Sequence, residues 1–398
     1  MRFGGNVQRG QPVVISCDIS QKDFGHLVQE CAYDAGAYEV IMNWSDEHST
    51  RTKYLRADGS IFDDFPAWLV NKYNHLNGRG AVYLNIGSHN PDLLFGVERN
   101  RINRYVKASS VAMKEHKDLL MGGNLRWSMC AVPSVAWAKK VFSELSETEA
   151  VEKLWEYILK GARADGVDPI SDWERHRKNL NKRAEYLNNQ NFDTLRITTG
   201  LGTDLTIGLV KNHIWTAGGD IAKDGVEFLP NIPTEEVFTM PNFNCVDGRV
   251  VASMPLPYQG NIIEGIDIAF ENGEVISYHA ETNFDALESL IQMDNGSYRL
   301  GEVALVPNSS PIRQLDTLFY NVLFDENASS HLALGSAYPK NIKGGTEMSK
   351  DELIVNGGNN SLIHVDFMFG TPDMNVWGVR EDGSEVLFFE NGEFKGLA

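Results

Sequence analysis

Apolar positions recur along this chain with two periods, one in each half. In the first half, strand-like runs alternate with helical ones. "QPVVISC" (11–17) is a short continuous apolar run bounded by polar residues, as expected of a strand. "KDFGHLVQECAYDAG" (22–36) spaces Phe24, Leu27, Val28 and Cys31 as one helix face and closes at Gly36. "AYEVIMNW" (37–44) and "GAVYLNIG" (80–87) are again strand-like. "SETEAVEKLWEYILKGARADG" (146–166) predicts the clearest helix, with Ser146 and Glu149 at capping-box spacing and Val151, Leu154, Trp155 and Ile158 as its stripe. This order predicts a wound α/β domain over residues 1–190. The period then changes. A polar helix over 176–190 is followed by short alternating runs separated by turn signals: Gly200 and Gly202, "VDGR" (246–249), "ENGE" (271–274), "EDGS" (381–384) and "ENGE" (390–393). Asp-Gly and Asn-Gly between alternating apolar residues predict hairpins. Residues 191–398 are therefore expected to form a mostly antiparallel, β-rich (α+β) domain.

Composition supports two globular domains and narrows the partners. At 398 residues the chain exceeds one ordinary core, and 42% hydrophobic with 23% charged residues is a globular balance. A net charge of −18 argues against nucleic acid or an anionic membrane as the main partner. Cys17, Cys31, Cys130 and Cys245 are scattered and form no CxxC, which predicts buried thiols in a reducing compartment. There is no run of about 18 apolar residues, so a cytoplasmic protein is expected.

The chemistry is concentrated in the β-rich half. The chain contains no HExxH, no phosphate-binding loop and no GxSxG elbow, and "GLGTDLTIG" (200–208) reads as a hairpin turn rather than a phosphate cradle. In "SLIHVDFMFG" (361–370), His364 and Asp366 share a face of a run apolar enough to be buried. A buried carboxylate requires a cationic partner. Similar settings hold Glu235 and Glu236 in "NIPTEEVFTMP" (231–241), Glu302 in "YRLGEVALVP" (298–307), and His331 with Tyr338 in "NASSHLALGSAYP" (327–339). Each residue alone is explained by an edge strand or a hydrogen-bonded core. Together Glu236, Glu302, His331, His364 and Asp366 offer a ligand charge of about −3, which suits two divalent cations with mixed O/N ligation such as Zn²⁺, Co²⁺ or Mn²⁺, Mg²⁺ being admissible. One carboxylate would bridge the pair, and a water shared between the cations would attack a carbonyl.

The stretches "NIPTEEVFT", "LGEVALVP", "NASSHLALGSAYP" and "HVDFMFGTPD" resemble the thermophilic metalloprotease family of leucyl aminopeptidases in sequence, order and separation. "NVQRGQPVVI", "VPSVAWA" and "LNNQNFDTLRITTGLGTDL" extend the resemblance over nearly the whole chain. It implies a metallo-aminopeptidase that acts on peptides with a free N-terminus, with two metal ions per subunit, a homodimer, and catalysis in the C-terminal domain. The family's ligands fall on Glu236, Glu302, His331, His364 and Asp366, and its catalytic tyrosine falls on Tyr338. The N-terminal helix usual for the family looks short or missing, and "MDNGSYRLGEV" departs from the more basic form usual before Glu302. Glu235, next to a ligand, is the expected general base by analogy with unrelated dinuclear aminopeptidases. Two other readings remain at this stage: a two-metal phosphoester hydrolase, and a non-catalytic binding protein stabilised by its metals.

Overall fold

The computed structural model describes residues 1–88 and 90–397, which divide into two compact units. The first comprises Met1–Ala162 and Gly219–Ile232; the second comprises Arg163–Gly218 and Pro233–Ala398.

In the first unit, β1 (Pro12–Asp18), β2 (Glu39–Ser45), β3 (Val82–Gly87) and β4 (Trp127–Ala131) form a parallel sheet in the order β2-β1-β3-β4. Its strands are apolar on both faces because both are covered. Val13, Ile15, Val82 and Leu84 pack with Phe24 and Val28 of α1 (Lys22–Asp34), while Val14 and Tyr83 pack with Leu76 and Leu125. The inward stripe of α1 is rotated from the predicted one. Gly25 and Ala32 are buried, whereas Leu27 and Cys31 are exposed. Gly25 explains the rotation, since a Cβ there would meet the Trp44 ring at 3.0 Å, so the bare backbone makes the close approach. A second helix, α2 (Glu47–Arg56), follows β2 and is capped by Asp46. The predicted capping box is present on α3 (Glu147–Gly161).

The predicted boundary at residue 190 and the observed one at 162 differ because α4 (Pro169–Gln190) is longer and less polar than its sequence suggests. Trp173, His176, Leu180, Ala184 and Leu187 are buried on one face, and the last three belong to the core of the second unit. The return of residues 219–232 to the first unit is fixed by backbone bonds from Met129 to Pro230 and from Ile232 to Met129.

Besides a two-stranded ribbon of 256–258 and 261–263, the second unit holds two larger antiparallel sheets. One has eight strands, in the order 274–279, 267–271, 241–251, 204–209, 194–198, 375–379, 385–390 and 393–394. Asn272-Gly273 and Asn391-Gly392 have positive φ at both residues, as two-residue hairpins require. "VDGR" makes no turn. It lies inside the bent strand Pro241–Val251, whose pairing shifts between Pro241 and Val246. The other sheet comprises β5 (Thr216–Ala217), β6 (Val237–Thr239), β7 (Leu300–Leu305), β8 (His331–Gly335) and β9 (His364–Met368), in the order β9-β8-β7-β6-β5.

All four cysteines are free. Cys17 is buried and Cys130 half-buried, but Cys31 and Cys245 are exposed, contrary to the expectation of four buried thiols. Among the described residues no helix is long and apolar enough to cross a membrane.

The close backbone approach at Gly248 can be tested. Its φ of +114° and a distance of 2.2 Å from an added Cβ to the Asp204 carbonyl oxygen exclude a side chain. Gly248→Ala should cost roughly 1–3 kcal/mol, read as a lower urea midpoint with an unchanged slope.

Candidate metal centre

Strand register assembles the site. Across β7, β8 and β9, Glu302 pairs with Ala333 and Ala333 with Asp366, so one row reads carboxylate, methyl, carboxylate. The next rows place His331 between Ala304 and Met368, and Gly335 beside His364. Directly opposed residues share a face, so the small residues Ala333, Ala304 and Gly335 leave room for the long side chains around them. Glu236 lies one residue before β6 and has the parity of Phe238, which pairs with Ala304. Glu236, Glu302, His331, His364 and Asp366 therefore converge. Their ligating atoms form two sets, Glu236 with Glu302 and His331, and Glu302 with His364 and Asp366, each within 4.8 Å.

Both imidazoles are held in one orientation. His331 Nδ1 lies 3.0 Å from the Ser329 carbonyl oxygen, and His364 Nδ1 lies 2.7 Å from that of Ser336. A carbonyl only accepts, so Nδ1 carries the proton and Nε2 faces the carboxylates. His331 Nε2 is 3.0 Å from Glu236 Oε2 and 3.7 Å from Glu302 Oε1. His364 Nε2 is 3.7 Å from Glu302 Oε2 and 3.6 Å from Asp366 Oδ1. The two oxygens of Glu302 thus face the two histidines separately.

The electrostatics are those of concentrated buried charge. Burial and the Glu236 and Asp366 charges raise the Glu302 carboxyl above the usual carboxylate range. Burial pushes the His364 imidazole down, but the Asp366 charge overrides it and takes the group up to about 10. His331 is likewise opposed by burial, yet its bonds to Glu236 and Glu302 hold it well above the ordinary value. Burial pushes Asp366 up, but His364 holds it below the usual range. Even so, Glu302 Oε2 and Asp366 Oδ1 are buried and have no hydrogen-bond partner among the described residues. Two orphaned carboxylate oxygens, oriented imidazole lone pairs and a carboxylate shared by both sets fit divalent cations with oxygen and nitrogen ligands.

Tyr338 lies against this cluster, its ring centroid 4.8 Å from that of His364. Burial and the surrounding carboxylates push its phenol well above the ordinary value, so it stays protonated. Glu235 does not join the cluster. Strand parity turns it to the opposite side, where Arg163 holds its carboxylate with both terminal guanidinium nitrogens and His176 Nε2 stands 3.6 Å away. The expected general base is thus the buried half of an ion pair. Sequence reasoning missed Glu326, on α5 (Val322–Ala328), which packs on β9. Burial, with the Asp366 and Glu236 charges, raises its carboxyl well above the usual range. Its signal was an acid in the apolar run "VLFDENASS", five residues before His331.

Known proteins agree with this architecture. The profile of the thermophilic metalloprotease family, M29, matches residues 1–394. Aminopeptidase AmpS of Bacillus subtilis is 43% identical over 394 residues, covering 99% of this chain and 96% of that protein. Aminopeptidase PepS of Streptococcus thermophilus is 42% identical over 392 residues, with coverages of 98% and 95%. The structure of wild-type AmpT from Thermus thermophilus superposes with a TM-score of 0.92 at 36% identity, over 99% of this chain and 96% of that one. A 2,5-dihydroxypyridine dioxygenase from Pseudomonas putida, 11% identical with a TM-score of 0.53 over 99% of this chain and 93% of that one, shares the fold alone.

The Arg163–Glu235 pair gives a prediction independent of metal. Glu235 is 2% exposed, so Arg163→Ala leaves a buried carboxylate without its partner. The loss should be about 3 kcal/mol in urea unfolding, and Arg163→Met with Glu235→Gln should recover part of it.

Proposed function

The chain belongs to the thermophilic metalloprotease family and is a metallo-aminopeptidase; we propose that it cleaves the N-terminal peptide bond at a dinuclear centre. In this reading Glu236, His331 and Glu302 would hold one divalent cation, and Glu302, His364 and Asp366 would hold the other. The observation that carries it is Glu302, whose two oxygens each face a different histidine, one of them buried without a hydrogen bond. When bound, two such cations would take the neutral substrate amine, polarise the scissile carbonyl and lower the pKa of a water between them toward about 7.

The chain's own residues supply the rest. Tyr338, protonated and beside His364, donates a hydrogen bond to the oxyanion of the tetrahedral carbon. Glu326 takes the proton of the attacking water and returns it to the leaving amine. Its raised affinity for a proton suits that exchange better than the ion-paired Glu235 does. Asn327 ties the two regions together, since its Oδ1 accepts from the Glu235 backbone N–H at 2.7 Å while its Nδ2 donates to Glu326 Oε1 at 3.4 Å. Four free thiols accord with a cytoplasmic setting. The family resemblance supports a homodimer.

Chelator-stripped protein should fail to cleave leucyl-p-nitroanilide and should regain activity with Co²⁺, Zn²⁺ or Mn²⁺, while the N-acetylated substrate stays intact. Glu302→Gln should abolish activity and leave fewer than two bound ions by elemental analysis. Cleavage of a phenyl phosphate instead would favour a phosphoester hydrolase. The proton-transfer assignment has its own test. Glu326→Gln and Tyr338→Phe should each lower kcat by about 10²–10³-fold with metal content retained. Glu235→Gln should keep most of kcat; a collapse of kcat there, with normal metal loading, would return Glu235 to the role of base.

A further inference from the structure

The first unit contains a cavity of about 520 Å³ that shares no residue with the metal centre. It opens at the carboxyl ends of the parallel strands and is lined by the last residues of β1, β2 and β3. In the order β2-β1-β3-β4 the chain leaves β1 to one side for β2 and then crosses back to β3. The crevice therefore lies where open α/β sheets diverge and admit ligands. Its volume is that of a small-molecule site.

The lining has a definite character. Asp18 and Glu47 supply two carboxylates, and no lysine or arginine is among the residues described there. Two cations bond lining residues from outside, Lys72 the Asn43 side-chain oxygen and Arg51 the Leu93 carbonyl, and among the described residues neither is paired with Asp18 or Glu47. Asp18 accepts from Ser45 Oγ at 3.1 Å and Ser20 N at 3.0 Å, and Glu47 accepts from Asn90 N at 2.6 Å, so among the described residues the carboxylates are positioned by neutral donors. Burial above all, and then the nearby Asp18 and Asp46 charges, raise the Glu47 carboxyl against the opposing bond from Asn90 N–H. Trp44, Leu93 and Met129 provide apolar walls. Ser88 also lines the cavity. It is 3% exposed, and its hydroxyl has no hydrogen-bond partner among the described residues. A buried hydroxyl without a partner is uncommon and marks a place where a ligand atom completes the bond.

We propose that this cavity binds a small organic cation, a protonated primary amine on an apolar or aromatic body, with the ammonium between Asp18 and Glu47 and the body against Trp44. Phosphates and nucleotides are disfavoured by two carboxylates with no lysine or arginine among the described lining residues. A free amino acid is disfavoured for the same reason, because its own carboxylate has no partner in the lining. A bare metal ion would leave most of the cavity and its apolar wall unused.

Calorimetry of the metal-loaded enzyme with 2-phenylethylamine, against the isosteric alcohol 2-phenylethanol, tests this. The amine should bind at least about tenfold more tightly than the alcohol, and Glu47→Gln or Asp18→Asn should weaken it by about tenfold or more. Ser88→Ala should weaken it less, and Glu302→Gln should leave it unchanged. Asp18 also caps the turn at 19–21, so Glu47→Gln, which keeps the acceptor for Asn90, carries the test if Asp18→Asn fails to fold. No binding at millimolar amine, equal binding of the alcohol, or full affinity in Glu47→Gln would overturn the proposal. Loss of binding in Glu302→Gln alone would overturn it by placing the amine at the metal centre, and would leave the aminopeptidase reading intact.

Discussion

Negative charge gathered in a dry interior is the constraint around which the second unit is built. Glu236, Glu302, Asp366 and Glu326 are all buried, and carboxylates taken out of water without compensation cost several kcal/mol each. Positive charge must enter the same few ångströms. The two histidines can provide it as imidazolium, which is why His331 and His364 hold protons so firmly when facing these acids. Divalent cations can provide it through the same Nε2 and carboxylate atoms. Protons and metals therefore compete for one set of positions, and metal binding is coupled to proton release. The two orphaned oxygens, on Glu302 and Asp366, show that protons on the histidines alone leave the set incompletely satisfied.

The sheet bears this charge because its small residues lie beside the large ones. Ala333 between Glu302 and Asp366, and Gly335 beside His364, make space on the site face. On the opposite face Leu332, Leu334 and Phe367 join the hydrophobic core. Gly335 has a second duty: its φ is +110°, and a Cβ there would stand 2.2 Å from the Ile363 carbonyl oxygen, so β8 and β9 could not approach with any other residue. The backbone carbonyls of Ser329 and Ser336 complete the arrangement by fixing the imidazole tautomers. Strands carry four of the five candidate ligands, and the fifth, Glu236, lies one residue before β6; strands are the more exact way to position a site.

Much of this was legible in the chain. Period-two alternation put His364 and Asp366 on one strand face, and the register shows the two on that face. Parity also separates Glu235 from its neighbour Glu236, and the structure turns Glu235, the expected base, to Arg163. What alternation could not supply was which strands would be neighbours, and so that Glu302 would stand 3.7 Å from each histidine. Glu326 escaped because its helix is too short for a periodic signal, and a carboxylate next to another, Asp325, reads as solvated. Asp325 is instead fully buried and accepts backbone N–H bonds from Phe319 and Asn321. The polar helix over 176–190 misled for a related reason. Its buried face is built from a tryptophan, a histidine and an alanine as well as leucines, so its inward stripe is weak on any hydropathy scale while being continuous in space.

The fold alone would not have yielded the chemistry. A dioxygenase with 11% identity shares the chain path, so the path is compatible with unrelated reactions. The specific information lies in two places. One is the row of Glu302, Ala333 and Asp366 with the histidines beside it, where acids are paired with groups that ligate or protonate. The other is the crevice at the ends of β1, β2 and β3, where Asp18 and Glu47 are paired only with neutral donors. Imidazoles separate the two cases: His331 and His364 face the carboxylates of the first, and no histidine is among the described lining residues of the second. Where histidine Nε2 atoms face the carboxylates, a metal with nitrogen and oxygen ligands is accommodated. Where the lining offers carboxylates, amides, hydroxyls and an indole, the complementary species is a cation that donates hydrogen bonds and carries its own apolar surface.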